Sequence, residues 1–371
     1  MTQDIDLGQP MLAPNLQDFD PSSIGVDNGN LLGLPFDYDS ASTIVLGVPW
    51  EVTVSYRAGT AAGPQVVLEA SRQLDIFDFD HPEGWKQGIF MAEIPAHIQQ
   101  KNGVLRQEAA RIIEYLEQGQ AIAASAELTQ VLQTINQECQ NVNQWLFEQA
   151  TAALDLGKQV AVIGGDHSVP LGYMQALAKR HPDFGILHID AHADLRDAYE
   201  GFQFSHASIM FNALKLPQIS KLVQVGIRDL CHDEFELIQQ SDGRIAAYYD
   251  PMLKQQLYAG VSWLELCQQI VAELPQQVYI SFDVDGLDPK LCPNTGTPVP
   301  GGLELEQTFC LFREVVRSGR QIIGFDVSEV GNGEWDGNVS ARAVYKLCNL
   351  MNLSRSPSNL AERFEATSKF I

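Results

Sequence analysis

The sequence predicts an α/β protein in three layers, with helices packed on both faces of a central parallel sheet. Three observations predict it. From residue 159 onward, short β-prone runs alternate regularly with amphipathic helical stretches, the pattern of strand–helix–strand units. The strands themselves, such as QVAVIGG, FGILHID and IIGFDV, are almost continuously apolar, as a strand covered on both faces must be. Several of these runs then end in Asp, His or Glu, at the strand end outside which open α/β sheets bind their ligands.

In chain order, residues 1–42 are rich in Asp, Pro, Gly and Asn with few periodic apolar positions, and read as an N-terminal extension lying on the body or on a neighbouring subunit. TIVLGVPW is the first strand, broken at Gly47 and Pro49. A loop, EVTVSYRAGTAAGP, leads to a helix that opens near Pro64, where proline suits the first turn. Residues 103–156 carry a long amphipathic helical pattern with no recognisable chemistry. Then come strand QVAVIGG, helix LGYMQALAKR, strand FGILHID, a helix near SHASIMFNAL, strand LVQVGIR, and helices DEFELIQQ and VSWLELCQQIVAEL. Strand QVYISFDVD, helix LEQTFCLFREVVRS, strand IIGFDVSEV and helix ARAVYKLCNLM complete the series. With no repeat or internal linker, residues 43–355 form one domain and residues 356–371 a C-terminal tail.

The charge balance, 24 Lys+Arg against 47 Asp+Glu for a formal −23, argues against nucleic acid or an anionic membrane as partner and suits a cationic ligand. Six cysteines without CxxC spacing read as reduced thiols, and MTQDIDLGQP has neither a basic nor an apolar leader pattern. No apolar run has the length of a membrane helix. A soluble cytoplasmic protein is expected.

The chemistry gathers in three stretches. In HIDAHADLR, Asp190, His192 and Asp194 fall at alternate positions, which on an extended segment would all point to one side. GGDHS places His167 just past a strand, and SFDVDGLDP ends another with Asp283 and Asp285. Paired carboxylates in a dry site repel and rise in pKa unless a cation lies between them. Only 24 basic residues exist and none closely flanks the Asp283/Asp285 pair, so a divalent cation answers this better than strand-end ion pairs. Four Asp and two His form a mixed N/O donor set suited to Mn, Fe, Co, Ni or Zn. Six donors are too many for one tetrahedral ion and about right for two sharing bridging carboxylates, an arrangement that can hold hydroxide at neutral pH.

GGDHS (164–168), DAHADLR (190–196) and SFDVDGLDP (281–289) resemble the three metal-binding signatures of the ureohydrolases, the arginase and agmatinase family. The likeness runs from about residue 43 to 352 and takes in VLGVPWEVTVSYRAGTAAGP, GIRD, TGTPVPGGL and FDVSEV. It implies the three-layer αβα arginase-like fold and hydrolysis of a guanidinium C–N bond with release of urea. It further implies one metal on His167, Asp190, Asp194 and Asp283, and a second on His192, Asp190, Asp283 and Asp285, with Asp190 and Asp283 bridging. By the same resemblance Asp285 stabilises the tetrahedral intermediate, His206 shuttles a proton to the departing nitrogen, and Glu329 pairs with the guanidinium, as a planar cation favours a bidentate carboxylate. His188 lies deeper in its strand and reads as core or as a support behind the ligands. His81, His97, His181 and His232 read as surface or packing residues.

The chain departs from its relatives around the substrate. Arginases carry a Ser-x-Asn-x-His loop after the DAHAD strand where this chain has Gly201–His206, so arginine is not the expected substrate. PWE replaces the Pro-Phe-Asp common in agmatinases, and GNGEWDGN follows Glu329. Trp50, Phe202, Phe204 and Trp335 are expected to crowd and shorten the mouth, with Thr295, Phe204, Trp335, His206 and Glu329 lining the substrate. A short pocket points to free guanidine, as in the cyanobacterial guanidine hydrolase branch, and implies Ni2+. Agmatine or guanidinobutyrate, with Mn2+, is the alternative. A one-metal deacetylase-like amidohydrolase and a non-catalytic binder are rivals of other classes, and metal content distinguishes them from a two-metal hydrolase. The resemblance also implies a homo-oligomer, a trimer or hexamer.

Overall fold

The computed structural model describes residue 16 and residues 19–355; the expected C-terminal tail and most of residues 1–18 lie outside the described residues. Eight strands form one sheet, all parallel: β1 (Thr43–Gly47), β2 (Ile89–Met91), β3 (Gln159–Ile163), β4 (Phe184–Ile189), β5 (Ile219–Ile227), β6 (Ile245–Tyr249), β7 (Gln277–Asp283) and β8 (Gln321–Ser328), in the order β2-β1-β3-β8-β7-β4-β5-β6. The register aligns Ile163 with Val327, Asp283 with Ser328, and Ile189 with Phe282. The carboxyl ends of the four central strands, β3, β8, β7 and β4, are thereby brought side by side.

Strands β1, β3 and β4 are buried at every position, which the apolar runs required. Among the described residues ten helices cover the sheet: α1 (Gly63–Ser71), α2 (Ala96–Glu117), α3 (Ala126–Asp155), α4 (Leu171–Ala178), α5 (Ile209–Ala213), α6 (His232–Gln239), α7 (Asp250–Tyr258), α8 (Trp263–Ala272), α9 (Leu305–Arg317) and α10 (Glu334–Ser354). One run of packed helices is α1-α10-α9-α8 and another is α2-α3-α4-α5. Small residues let α10 approach closely: a Cβ on Gly337 would sit 2.5 Å from Val66 Cγ1 of α1. Pro64 opens α1 as expected, and the long pattern at 103–156 is two helices, α2 and α3, the second capped by Ser125 accepting from Leu128 N.

The sequence reading passed over β2, β6 and α7. Both strands lie at the margins of the sheet: β2 is three residues long and four of the five residues of β6 are half-buried, so neither carries the apolar run of a central strand. Within the N-terminal extension, residues 30–36 pack on the chain's own body, with Leu31, Leu32 and Leu34 buried in the core. Asn30 fixes this segment to β2, its Nδ2 donating to Ile89 O at 2.9 Å and its Oδ1 accepting from Met91 N at 2.9 Å.

Two glycines far from the strand ends should respond in opposite directions. A Cβ on Gly324 in β8 would fall 2.1 Å from the Tyr173 hydroxyl, which is buried and donates to Val160 O at 2.8 Å. Gly324→Ala is expected to cost about 1–3 kcal/mol through overpacking, whereas Gly103→Ala, in an exposed stretch of α2 with nothing within 4 Å, should gain roughly 0.5–1 kcal/mol. Denaturant midpoints of the two variants check both signs.

Candidate metal centre

All six predicted donors converge at the carboxyl ends of β3, β4 and β7. The turn after β3 delivers His167. Gly165 must be glycine there, because a Cβ would lie 1.9 Å from the Trp50 carbonyl oxygen. The His167 ring is buried, and its Nδ1 lies 3.0 Å from Asp190 Oδ2, 3.0 Å from Asp194 Oδ2 and 3.2 Å from Asp283 Oδ2. His192, a quarter exposed, places its Nδ1 3.0 Å from Asp285 Oδ2 and 3.4 Å from Asp190 Oδ1. Donor atoms of His167, His188, Asp190 and Asp194 lie within 4.8 Å of one another, and so do those of Asp190, His192 and Asp285. The two groups share Asp190.

The alternation of Asp190, His192 and Asp194 does not act as strand pleating. Strand β4 stops at Ile189 and the three residues ride on an irregular segment, where Asp194 adopts a left-handed conformation (φ 55°) and its carbonyl accepts from Met210 N and Phe211 N. Asp285 likewise lies in a 3-10 turn beyond β7, held by its N–H to Asp283 Oδ1 at 2.8 Å and by Ala191 N donating to its Oδ1 at 3.0 Å. Convergence comes from these irregular segments beyond the strand ends.

A network that the sequence reading did not find fixes the ligand rings. Buried Asp326 in β8 accepts hydroxyls from Tyr279 (2.7 Å), Ser281 (2.8 Å) and Ser328 (2.8 Å). Since Ser281 gives its proton to Asp326, its 2.9 Å contact with His167 Nε2 requires that ring nitrogen to donate. Nδ1, facing the three carboxylates, is then the nitrogen left to bind an ion once it has lost its own proton. Behind Asp190, Gln224 Nε2 donates to His188 Nδ1 at 2.9 Å, so His188 Nε2 carries the proton toward Asp190 Oδ2 at 2.7 Å. His188 is therefore set up as a donor to Asp190, in keeping with the supporting role read from the sequence. The signal was present as period-two spacing, Tyr279-Ser281-Asp283 on β7 and Asp326-Ser328 on β8.

The charge state of the cluster fits a cationic guest. Burial pushes Asp194 up to about 7, with Asp190 adding to the rise. Burial and the neighbouring Asp285 and Asp190 raise Asp283 well above the carboxylate range. Burial and Asp166 do the same for Glu329. Against its burial, Asp190 is held well below the usual range by His188 and His167. Buried acids that cannot all ionise together, with two imidazoles among them, make a donor set suited to borderline divalent ions.

Glu329 follows β8 in a left-handed conformation (φ 62°), its Oε1 accepting from His167 N at 2.9 Å. Its Oε2 is buried without a hydrogen-bond partner, and the space beside it is kept by Gly296, whose Cβ would lie 2.8 Å away. Thr295, next in the chain, is buried with its hydroxyl unpaired. His206 is half-buried, Nε2 3.5 Å from Ser55 Oγ, with the Tyr199 ring edge-on at 6.1 Å. Loss of water, with His192 and His167 adding, pushes its pKa down to about 3. The expected aromatic mouth is corrected in two places. Trp50 and Phe202 are buried in the core, where a residue's apolar bulk serves packing, and only half-buried Phe204 and Trp335, 54% exposed on the first turn of α10, remain near the surface.

With this geometry in place the comparisons are decisive. Residues 41–351 match the family model described as the Arginase family. The chain belongs to the arginase family. It is 32% identical over 318 residues to an N(1)-aminopropylagmatine ureohydrolase of Thermus thermophilus, covering 85% of this chain and 92% of that protein. It is 26% identical to a guanidinobutyrase of Pseudomonas aeruginosa over 86% and 90% of the two chains. The agmatine ureohydrolase structure of Thermoplasma volcanium superposes with a TM-score of 0.66 at 20% identity, over 90% of this chain and 97% of that one, a likeness of fold. The chain is thus an arginase-family ureohydrolase, a metal-dependent type of hydrolase. No helix among the described residues is long and apolar enough to cross a membrane.

Two outcomes follow for this ureohydrolase. Ser281→Ala removes the acceptor of His167 Nε2, and should weaken metal affinity by on the order of 10- to 100-fold, read by titration against a competing chelator. In the metal-free chain, Asp194 (about 7) and Asp283 keep protons that an unfolded carboxyl, near 3.8, has already released, and the raised imidazoles of His167 and His192 keep theirs too. The folded state then binds more protons than the unfolded one above the ordinary carboxylate range, so its stability falls as pH rises through about 7. The depressed Asp190 works oppositely, but only in acid. Thermal melts with and without chelator should show metal removal costing more at alkaline than at mildly acidic pH.

Proposed function

We propose that this ureohydrolase holds two divalent ions and hydrolyses a small guanidino compound to urea, with free guanidine as substrate and ammonia as the other product. His167, Asp190, Asp194 and Asp283 would hold one ion, and Asp190, His192, Asp283 and Asp285 the other. Bound there, the ions supply a water of lowered pKa and Lewis-acid stabilisation of developing charge. The chain's own residues do the rest. Glu329 orients the guanidinium by a charge-assisted hydrogen bond to its unpaired Oε2, and this buried oxygen is the observation that carries the reading. Asp285, whose Oδ2 also accepts from Thr297 Oγ1 at 3.3 Å, is assigned to take an N–H of the substrate as its carbon becomes tetrahedral. His206, neutral at physiological pH, relays a proton to the departing nitrogen. Thr295, Phe204 and Trp335 are assigned to the walls and rim.

The preference for guanidine rests on the rim. Arg57 lies on the segment whose backbone borders Gly296, its carbonyl oxygen 3.6 Å from the position of a Cβ there, and its guanidinium donates to Pro293 O at 3.1 Å. In this reading the Arg57 guanidinium stands at the exit and opposes the amine tails of agmatine and aminopropylagmatine, the compounds to which the names of several relatives refer. The same arginine favours a second reading, an ω-guanidino acid whose carboxylate pairs with Arg57. Ni2+ goes with the guanidine reading and Mn2+ with the agmatine-like one. A cytoplasmic homo-oligomer, a trimer or hexamer, completes the proposal.

Urea release from guanidine, agmatine, N(1)-aminopropylagmatine, guanidinobutyrate and arginine, each with Ni- and Mn-loaded protein, tests this. Guanidine with Ni is expected to give the highest kcat/KM, and Arg57→Ala to improve the amine-tailed substrates. A higher kcat/KM for agmatine or aminopropylagmatine in the unmodified chain overturns the guanidine reading.

A further inference from the structure

The segment between β1 and α1 touches both halves of the proposed site. On one side Ser55 places its Oγ 3.5 Å from His206 Nε2, and buried Thr53 accepts from His206 N at 3.3 Å while donating to Asp166 Oδ2 at 3.3 Å. On the other side Arg57 donates to Pro293 O at 3.1 Å, and its carbonyl oxygen lies 3.6 Å from where a Cβ on Gly296 would sit, beside Glu329. A Cβ on Gly59 would meet Asn332 Cγ at 3.4 Å, so the same segment also borders the chain that follows Glu329.

One buried carboxylate closes this segment. Glu51 turns its Oε2 back on its own chain and accepts from Gly59 N at 2.6 Å, Ala61 N at 3.1 Å and Thr60 Oγ1 at 3.1 Å. Its backbone is fixed to the body of the molecule. Glu51 N donates to Asn102 Oδ1 of α2 at 2.7 Å, and the carbonyl of Trp50 accepts from Asp166 N, in the turn that carries His167, at 2.8 Å. Arg106, half-buried on α2, directs its guanidinium to the Val52 carbonyl at 3.4 Å. A loop whose two ends are tied in this way is a compact unit. Without the Glu51 oxygen, three donors at its base would stand unpaired, which costs more than the bonds themselves contribute.

We infer that Glu51 is a positioning residue for substrate selection, closing residues 51–61 into a clasp that holds Ser55 against His206 and Arg57 against the guanidinium seat. The inference rests on the site assigned above, with the guanidinium beside Glu329. Glu51 itself touches no substrate. With the base of the clasp tied, the Arg57 side chain stays anchored on Pro293 O, where it opposes a cationic tail and confines a small substrate. With the base released, the wall widens and that opposition fades, so amine-tailed substrates gain relative to guanidine.

The test is Glu51→Ala in the full metal-loaded chain, read as the ratio of kcat/KM for guanidine to that for agmatine. The ratio should fall by about tenfold, with the loss on guanidine mainly in KM. Chelator titration should return the metal affinity of the unmodified chain. Glu51→Gln keeps an oxygen acceptor, and its ratio should stay within about twofold of the unmodified one. Formate, small enough for the space the side chain leaves, should restore the ratio in Glu51→Ala and leave Glu51→Gln unmoved. Independently of turnover, trypsin should cut after exposed Arg57 faster in Glu51→Ala, and formate should slow it. Thr60→Val removes one of the three donors at nearly constant volume, and should move the ratio the same way by a smaller factor; it decides the matter should Glu51→Ala not fold. If guanidine is not turned over, guanidinobutyrate replaces it in the ratio, so failure of the guanidine reading and failure of this inference are separate results. Ratios unmoved in both Glu51→Ala and Thr60→Val, equal losses on every substrate that formate does not restore, or unchanged cutting after Arg57 overturn the inference.

Discussion

Everything near the strand ends answers to one electrostatic constraint: Asp190, Asp194, Asp283, Asp285 and Glu329 are buried within a few ångströms of two imidazoles. Carboxylates removed from water repel one another and lose hydration, so they either hold protons or gather about cations. Parallel strands create the constraint, because each crossover returns the chain to the same side and sets four carboxyl ends in a row. The acids come from three separate segments of chain, and the fold keeps them together either protonated or gathered about a cation.

Holding such a cluster in one arrangement is a task for neutral hydrogen-bonding groups. Asp326 collects three hydroxyls and through Ser281 chooses the tautomer of His167, while Gln224 chooses the tautomer of His188 and so the donor that meets Asp190. These residues touch no substrate. Their part is to make the orientation of each ligand independent of whether an ion is present, which lowers the reorganisation needed on binding.

The sequence made the donors legible because His167, Asp190, His192, Asp194, Asp283 and Asp285 stand where greasy runs end, and burial of a charge there needs a reason. The supporting network was hidden because Tyr279, Ser281, Gln224 and Asp326 look like ordinary strand positions, and their partners lie up to 114 residues away in the chain. The aromatic residues misled for a related reason. Trp50 and Phe202 stand beside motif residues in the chain, yet a large apolar ring near a motif is more stably placed in the core than at a mouth, and the burial of both side chains shows it. Margins of the sheet were illegible too, since β2 is too short and β6 too open to carry a periodic signal.

Asn30 carries a consequence that reaches beyond the fold of one chain. Its side-chain amide gives β2 the same donor and acceptor that a ninth strand would offer, at Ile89 O and Met91 N. Open strand margins are templates for uncontrolled pairing between molecules. A single asparagine, carried on a proline- and glycine-rich lead-in, plugs the one margin flanked by fully buried strands, so the segment ahead of the catalytic body acts as a guard against fibrous association.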